Sequence, residues 1–233
     1  MQKSIDAIIV AAGSGVRLGA DVPKAFVMLC GKPLFVHSLL HFAAHATVGR
    51  IILVVPAAMA PEATRIVTGL SLDKEVIVTA GGDLRWQSVR NGVEASSAQW
   101  VMIHDAARPF VSAGVIDAVL ALEKKFDAVI SATPEVDTIR RFSGDRALST
   151  IDRNELVRVQ TPQMFKREAL LSAFKHAAAL SSPPTDEAML MEAAGVEVGI
   201  AWGDPLNFKI TTKEDFALAQ ALCEKRGAAS AHK

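Results

Sequence analysis

Residues 8–26 read IIVAAGSGVRLGADVPKAF. The apolar run Ile8-Ile9-Val10 gives way at once to Ala11, Ala12, Gly13, Ser14 and Gly15, and Arg17, Gly19 and the pair Pro23-Lys24 follow. A strand that ends in a loop nearly without side chains leaves backbone N–H groups free to face an anion, and a helix start beyond it adds a favourable dipole. Open α/β sheets bind ligands at the carboxyl ends of their strands, where such a loop lies. Arg17 and Lys24 then read as counter-charges to a polyphosphate.

The pattern repeats outward from this segment. Strand-length apolar runs recur at Ala7–Val10, Ile51–Val55, Glu75–Thr79, Val101–His104 and Ala128–Ser131. Between them Leu34–Ala46, Ala60–Leu70, Leu84–Ser96 and Ala113–Phe126 carry apolar residues at three- and four-residue steps, the period of helices. Strands alternating with helices predict βαβ units: a Rossmann-like α/β fold with a mostly parallel sheet and helices on both faces. The strand runs are continuous and do not alternate apolar with polar, which agrees with burial on both faces.

After Pro134 short alternating stretches flank Ser143-Gly144-Asp145, a turn signal that predicts a β-hairpin arm over about 135–162. The arm has too little apolar surface to stand alone, so it should pack on something, such as a second subunit. Lys166–Leu180 reads as a helix and "SSPPTDEAMLMEAAG" as a loop entering another. "VEVGIAW" and "NFKIT" read as strands and Thr212–Arg226 as the last helix. With no repeat or linker, residues 1–226 form one domain and 227–233 a disordered tail.

Composition narrows the class. Of 233 residues half are apolar, and 25 lysines and arginines balance 25 acids. That balance speaks against a nucleic-acid or membrane-surface partner. Cys30 and Cys223 are far apart and match no metal or redox spacing, which fits reduced thiols. Neither a signal peptide nor a run of membrane-spanning length is present, so a cytoplasmic protein is expected.

Rival phosphate loops fare poorly. Gly31-Lys32 is followed by Pro33, not by the Ser or Thr of a Walker A loop. A dinucleotide site wants an acid at the end of the second strand, and "LVVPAAM" has none. The third pattern is the nucleotidyltransferase loop, A-A-G-x-G-x-R followed by P-K. Residues 11–17 and Pro23-Lys24 supply it.

With "AGGDLRWQSVRNG", "HDAARPF", "VDTIRR", "DRNELVRVQTPQMF", "TDEA" and "NFKITTKEDFALA" in order, the chain resembles the 2-C-methyl-D-erythritol 4-phosphate cytidylyltransferases from Ile5 to about Leu222. The resemblance implies transfer of CMP from CTP to methylerythritol phosphate in non-mevalonate isoprenoid synthesis, with Mg²⁺ as cofactor and a homodimer formed through the arm. It also implies site residues. Ala11 to Gly15 would wrap the CTP phosphates and ribose, with Arg17 and Lys24 neutralising the triphosphate. Gly82, Asp83 and Ser88 would face the cytosine, and Asp83 would serve equally as a helix cap. Asp105, with Ala106, would contact nucleotide, acceptor or metal. Thr138, Arg153, Thr185 and Lys209 would hold the acceptor, the arm's two in the neighbouring subunit's site. Lys209 would also serve the transferred phosphoryl group.

Arg108 reads as a structural partner, and Asp204 as a surface turn ahead of a second metal carboxylate. His37, His41 and His45 share a helix face without an acidic or cysteine partner, so a polar face is the expectation over a metal site. Trp86 would stack on a ligand or pack. Ribitol 5-phosphate cytidylyltransferases tend to carry valine where this chain has Ala107, which favours the methylerythritol enzyme. The ordered cations argue against a non-catalytic nucleotide-binding module. The chain's end just after the last predicted helix reads as a single-function form.

Overall fold

The computed structural model describes residues 5–13, 22–175, 177 and 182–230. Its strands are β1 (Ile5–Val10), β2 (Met28–Leu29), β3 (Lys32–Pro33), β4 (Val48–Val55), β5 (Val76–Ala80), β6 (Trp100–Asp105), β7 (Ala128–Pro134), β8 (Ile139–Ser143), β9 (Arg146–Ile151), β10 (Val157–Lys166) and β11 (Val198–Trp202). Its helices are α1 (Leu34–Ala44), α2 (Ala60–Gly69), α3 (Arg85–Ala95), α4 (Ala113–Leu120), α5 (Arg167–Phe174), α6 (Glu187–Ala193) and α7 (Lys213–Ser230).

Seven strands form the main sheet in the order β11–β7–β10–β6–β1–β4–β5. β1 pairs in parallel with β4 and β6, β4 with β5, and β7 with β11. Only β10 runs antiparallel, between β6 and β7. Successive side chains of a strand face opposite sides, and here both sides are apolar. Ala7, Ile9, Ile51 and Leu53 lie in one core with α1, α2 and α4. Ile8, Ile52 and Val54 lie in another with α3, α5 and α6. A smaller cluster of Leu29, Leu34, Phe110, Ile210 and Ala219 seats α7.

The topology itself places the site. From β1 the chain moves outward to β4 and β5, then crosses back to lay β6 on the other side of β1. Such a reversal opens a crevice at the strands' carboxyl ends, and here it lies between β1 and β6.

Four segments differ from expectation. The arm is shorter, because Val157–Lys166 is a strand of the main sheet and pairs with β7 from its first residue. The helix α4 stops at Leu120. Beyond it the N–H groups of Leu122, Glu123 and Lys125 bond three residues back, a tightening that ends the helix. "NFKIT" forms no ladder. Asn207 turns its amide to the Thr161 carbonyl (2.7 Å) and the Ile210 N–H reaches the Ala107 carbonyl (2.9 Å), so the segment is pinned point by point. The last helix runs through Gly227 to Ser230 where a tail was expected; residues 231–233 lie outside the described residues, as do 176 and 178–180 of the expected Lys166–Leu180 helix.

The arm itself is a two-stranded sheet of β8 and β9, turned at Gly144 with φ +54°. It leaves Phe142 77 % and Leu148 53 % exposed. Among the described residues no helix is long and apolar enough to cross a membrane.

Candidate active site

Three strand ends and one extended segment converge on the crevice. β1 delivers Ala11, Ala12 and Gly13; the loop after β5 delivers Gly82 and Asp83, and the first turn of α3 Ser88; β6 delivers Asp105 and Ala106. Lys24 opens a short 3-10 turn, Lys24–Phe26, and Lys209 comes from the stretch before α7. All ten line one cavity of about 460 Å³. Ser14, Gly15 and Arg17 lie outside the described residues.

The loops approach so closely that glycine is required. A Cβ on Gly81 would stand 2.5 Å from the Ala12 Cβ and 2.7 Å from the Ser88 hydroxyl. Ser88 is buried and its Oγ accepts from the Gly82 N–H at 3.1 Å, so it shapes the turn. Asp83 does not cap α3. The cap residue is Leu84, whose N–H donates to Gln87 Oε1 at 2.9 Å, and Asp83 is exposed at the cavity rim. Trp86 packs, with its ring 6.4 Å from that of Phe174.

A second cavity of about 240 Å³ adjoins the first, and Arg85, Asp105 and Lys209 line both. Asp105 is therefore part of a partition. Lys209 Nζ lies 2.7 Å from its Oδ2, and Arg85 Nη2 donates to its Oδ1 at 3.2 Å. Burial alone would raise the Asp105 carboxyl, but Arg85 and Lys209 outweigh it and hold it well below the usual carboxylate range. Arg85 also donates through Nη1 to both oxygens of Glu187, at 2.7 and 2.9 Å. Glu187 is wholly buried, which pushes its carboxyl up, while Arg85 draws it down in part.

Thr185 lines the smaller cavity, and the cap of α6 is its neighbour Asp186, which accepts from the Met189 N–H at 3.1 Å. Arg108 is held as a structural partner should be, by the carbonyls of Asn207 (2.9 Å) and Val159 (3.3 Å). Asp204 forms a turn, its Oδ1 accepting from the Leu206 N–H at 2.8 Å. Thr138 and Arg153 line neither cavity; Arg153 donates to the Val136 carbonyl at 2.6 Å within the arm.

The donors present suit a protein-held magnesium ion poorly. Both Asp105 oxygens face cations, and among the described residues no three His, Cys, Asp or Glu side chains stand together as a metal group. Asp105 is in this arrangement a carboxylate bound by Arg85 and Lys209. The histidine face is likewise committed elsewhere: His37 Nε2 meets the Leu29 carbonyl at 2.8 Å and His45 Nε2 meets Asp117 at 3.1 Å.

The family model described as IspD, 2-C-methyl-D-erythritol 4-phosphate cytidylyltransferase, matches residues 5–225. The chain belongs to this family. A cytidylyltransferase of that name from Alkaliphilus metalliredigens is 37 % identical over 226 residues, 95 % of this chain and 94 % of the relative. The solved 4-diphosphocytidyl-2C-methyl-D-erythritol synthase of Anaerococcus prevotii superposes with a TM-score of 0.84 at 28 % identity, over 96 % of this chain and all of that one (100 %). The solved family member from Thermus thermophilus gives 0.79 at 30 % identity, over 95 % of this chain and 99 % of its own.

Arg85, Glu187 and Thr161 also belong to the site, though the sequence alone did not mark them out. Thr161 lines the smaller cavity and its Oγ1 accepts from the Asp105 N–H at 3.0 Å. Glu187 did carry a signal: Leu190 and Met191 follow at helical spacing and are buried, so Glu187 falls on the inward face of α6. A charged residue there demands a buried partner.

Proposed function

We propose that the larger cavity holds CTP and the smaller the acceptor, so that the chain carries out its family's reaction: transfer of CMP from CTP to 2-C-methyl-D-erythritol 4-phosphate. One observation carries this reading: two adjoining cavities share a wall of Arg85, Asp105 and Lys209 at the switch point of the sheet. Two substrates that must meet at one phosphorus need adjoining pockets.

An acceptor phosphate oxygen attacks the α-phosphorus of CTP in line. The bond from that phosphorus to the bridging oxygen breaks, and pyrophosphate leaves. A phosphate monoester has a second pKa of about 6, so the nucleophile is already largely a dianion at neutral pH and needs no general base. The protein's part is to gather and offset negative charge. Lys24 serves the triphosphate from the larger cavity, Lys209 reaches both sides, and Arg17 is proposed to join them. Gly82 and Ser88 leave a tight pocket for the pyrimidine. Magnesium enters as a counter-ion of the substrate's phosphates, the usual mode for an ion that gives up its waters reluctantly.

Thr138 and Arg153 are proposed to serve a second copy's acceptor cavity in a homodimer. Their absence from the lining of both of this chain's cavities and the arm's bare apolar side chains support that reading. Arginine suits the task because its planar fork binds two phosphate oxygens at once. A cytoplasmic setting is proposed with it.

The test is pyrophosphate release from CTP and Mg²⁺, with methylerythritol 4-phosphate and ribitol 5-phosphate offered in parallel. Strong release with the first alone is expected. Preference for ribitol phosphate would move the acceptor assignment, and silence with both from protein that binds CTP would end the catalytic reading.

A further inference from the structure

Arg85 joins two acids that lie far apart in the chain. Its Nη1 donates to both oxygens of Glu187, at 2.7 and 2.9 Å, across 102 residues. Its Nη2 and Nε donate to Oδ1 of Asp105, at 3.2 and 3.4 Å. The other oxygen of Asp105 faces Lys209 at 2.7 Å. Asp105 thus has two cationic partners, one on each oxygen.

The two cations are not equivalent. The Lys209 side chain is 39 % exposed and ends in a single ammonium on a flexible stem. The Arg85 side chain is 27 % exposed and its fork is anchored on Glu187, which is wholly buried and lines neither cavity. If a phosphate draws Lys209 away, a carboxylate with no second partner would be stranded with its charge buried, and that is strongly unfavourable. Arg85 removes the penalty because it stays.

We propose that Arg85, braced by Glu187, is a positioning residue for the transfer: it keeps Asp105 in the partition between the cavities so that Lys209 can exchange Asp105 for a substrate phosphate. This rests on the reaction proposed above. Arg85 works through Lys209 and is not itself assigned a contact with the reacting atoms.

The experiment is a double-mutant cycle in the full chain, with Arg85→Gln and Lys209→Gln made singly and together and single-turnover rates read by pyrophosphate release. Arg85→Gln is expected to lower the rate about a hundredfold while CTP affinity by calorimetry changes less than about threefold. In the Lys209→Gln background the same change should cost less than about threefold, because the two act as a unit. Equal losses in both backgrounds overturn the proposal, and so does a parallel loss of CTP affinity.

Arg85→Lys keeps a charge and covers the case in which the glutamine variant does not fold. A single ammonium cannot span both acids, so its rate should stay within about threefold of the glutamine variant's, or about a hundredfold below the parent's. Recovery to the parent rate overturns the bridging role. The cycle runs on whichever acceptor supports turnover, so a wrong acceptor and a wrong role for Arg85 give different results.

Discussion

His104 sits beside Asp105 yet takes no part in charge transfer, and its surroundings say why. It is wholly buried, and its ring Nδ1 meets the Thr161 hydroxyl at 3.0 Å. The same hydroxyl oxygen accepts from the Asp105 N–H at 3.0 Å, while ring Nε2 faces the Arg108 carbonyl at 3.0 Å. With one proton on Nε2 the chain of donors closes, and the ring is neutral. Burial, opposed by the Arg108 carbonyl bond and by Asp105, pushes its pKa down from 6.5 to about 4. Between those two values the unfolded chain binds a proton that the folded chain refuses, so stability falls as pH drops through this window and is fully present above it. This group should cost about 2 kcal/mol between pH 7 and pH 5. Urea unfolding at both pH values checks it: His104→Asn should show a pH difference smaller by that amount, and an unchanged difference would exclude the linkage. Lys24 lies at the opposite extreme. It is half-buried at the larger cavity, and its assigned task is charge rather than packing. Lys24→Ala is therefore expected to lower kcat by about a hundredfold to a thousandfold, with the thermal midpoint little changed. Near-normal turnover would remove Lys24 from the mechanism.

At the scale of elements, α3 carries Arg85 at its first turn and is seated by a glycine. A Cβ on Gly92 would meet Ile8 Cγ2 at 2.6 Å and Val54 Cγ2 at 2.9 Å, both on the sheet beneath the helix. Gly92→Ala should push the helix outward, costing about 1–3 kcal/mol and misplacing Arg85. Gly114 in α4 is the control, because its Cβ would find nothing closer than the Ser112 hydroxyl at 3.8 Å. There alanine should be neutral or stabilising by up to about 1 kcal/mol. Thermal melts of the two variants, with kcat for Gly92→Ala, decide the matter. The parallel strands and their helices were legible because apolar period alone defines an element buried on both faces. β10 was not. Pro162 interrupts it, the register against β7 shifts between Gln160 and Gln163, and a proline inside a strand pattern argues against a central strand. That irregularity brings Thr161 to the Asp105 N–H, so what hid the strand also serves the site. The glycine loop, Lys24 and Lys209 were legible by type and order. Arg85 was not, since an arginine at a helix start reads as solvent-facing until the fold brings Glu187 to it from 102 residues away.

At the scale of the molecule, the arm is the part that one chain leaves without a purpose. Among the described residues β8 and β9 pair only with each other, and Val136, Phe142 and Leu148 are 62 %, 77 % and 53 % exposed. A two-stranded hairpin is marginal in water without a face to pack on, so this geometry calls for a surface outside the chain. In a two-fold dimer whose arms exchange, each cavity would take its phosphate-gripping arginine from the neighbour. That arrangement separates two defects that a self-contained chain would combine. Lys24→Ala spoils a subunit's own cavity, whereas Arg153→Ala spoils the neighbour's. Each variant alone should be nearly inactive. After equal amounts are unfolded together and refolded, half the dimers are mixed, and each mixed dimer pairs one intact cavity with one intact arm. Activity should return to about a quarter of the parent's per subunit under random pairing. If the arm served its own subunit, every cavity in the mixture would keep one defect, and the refolded mixture would stay as inactive as its components.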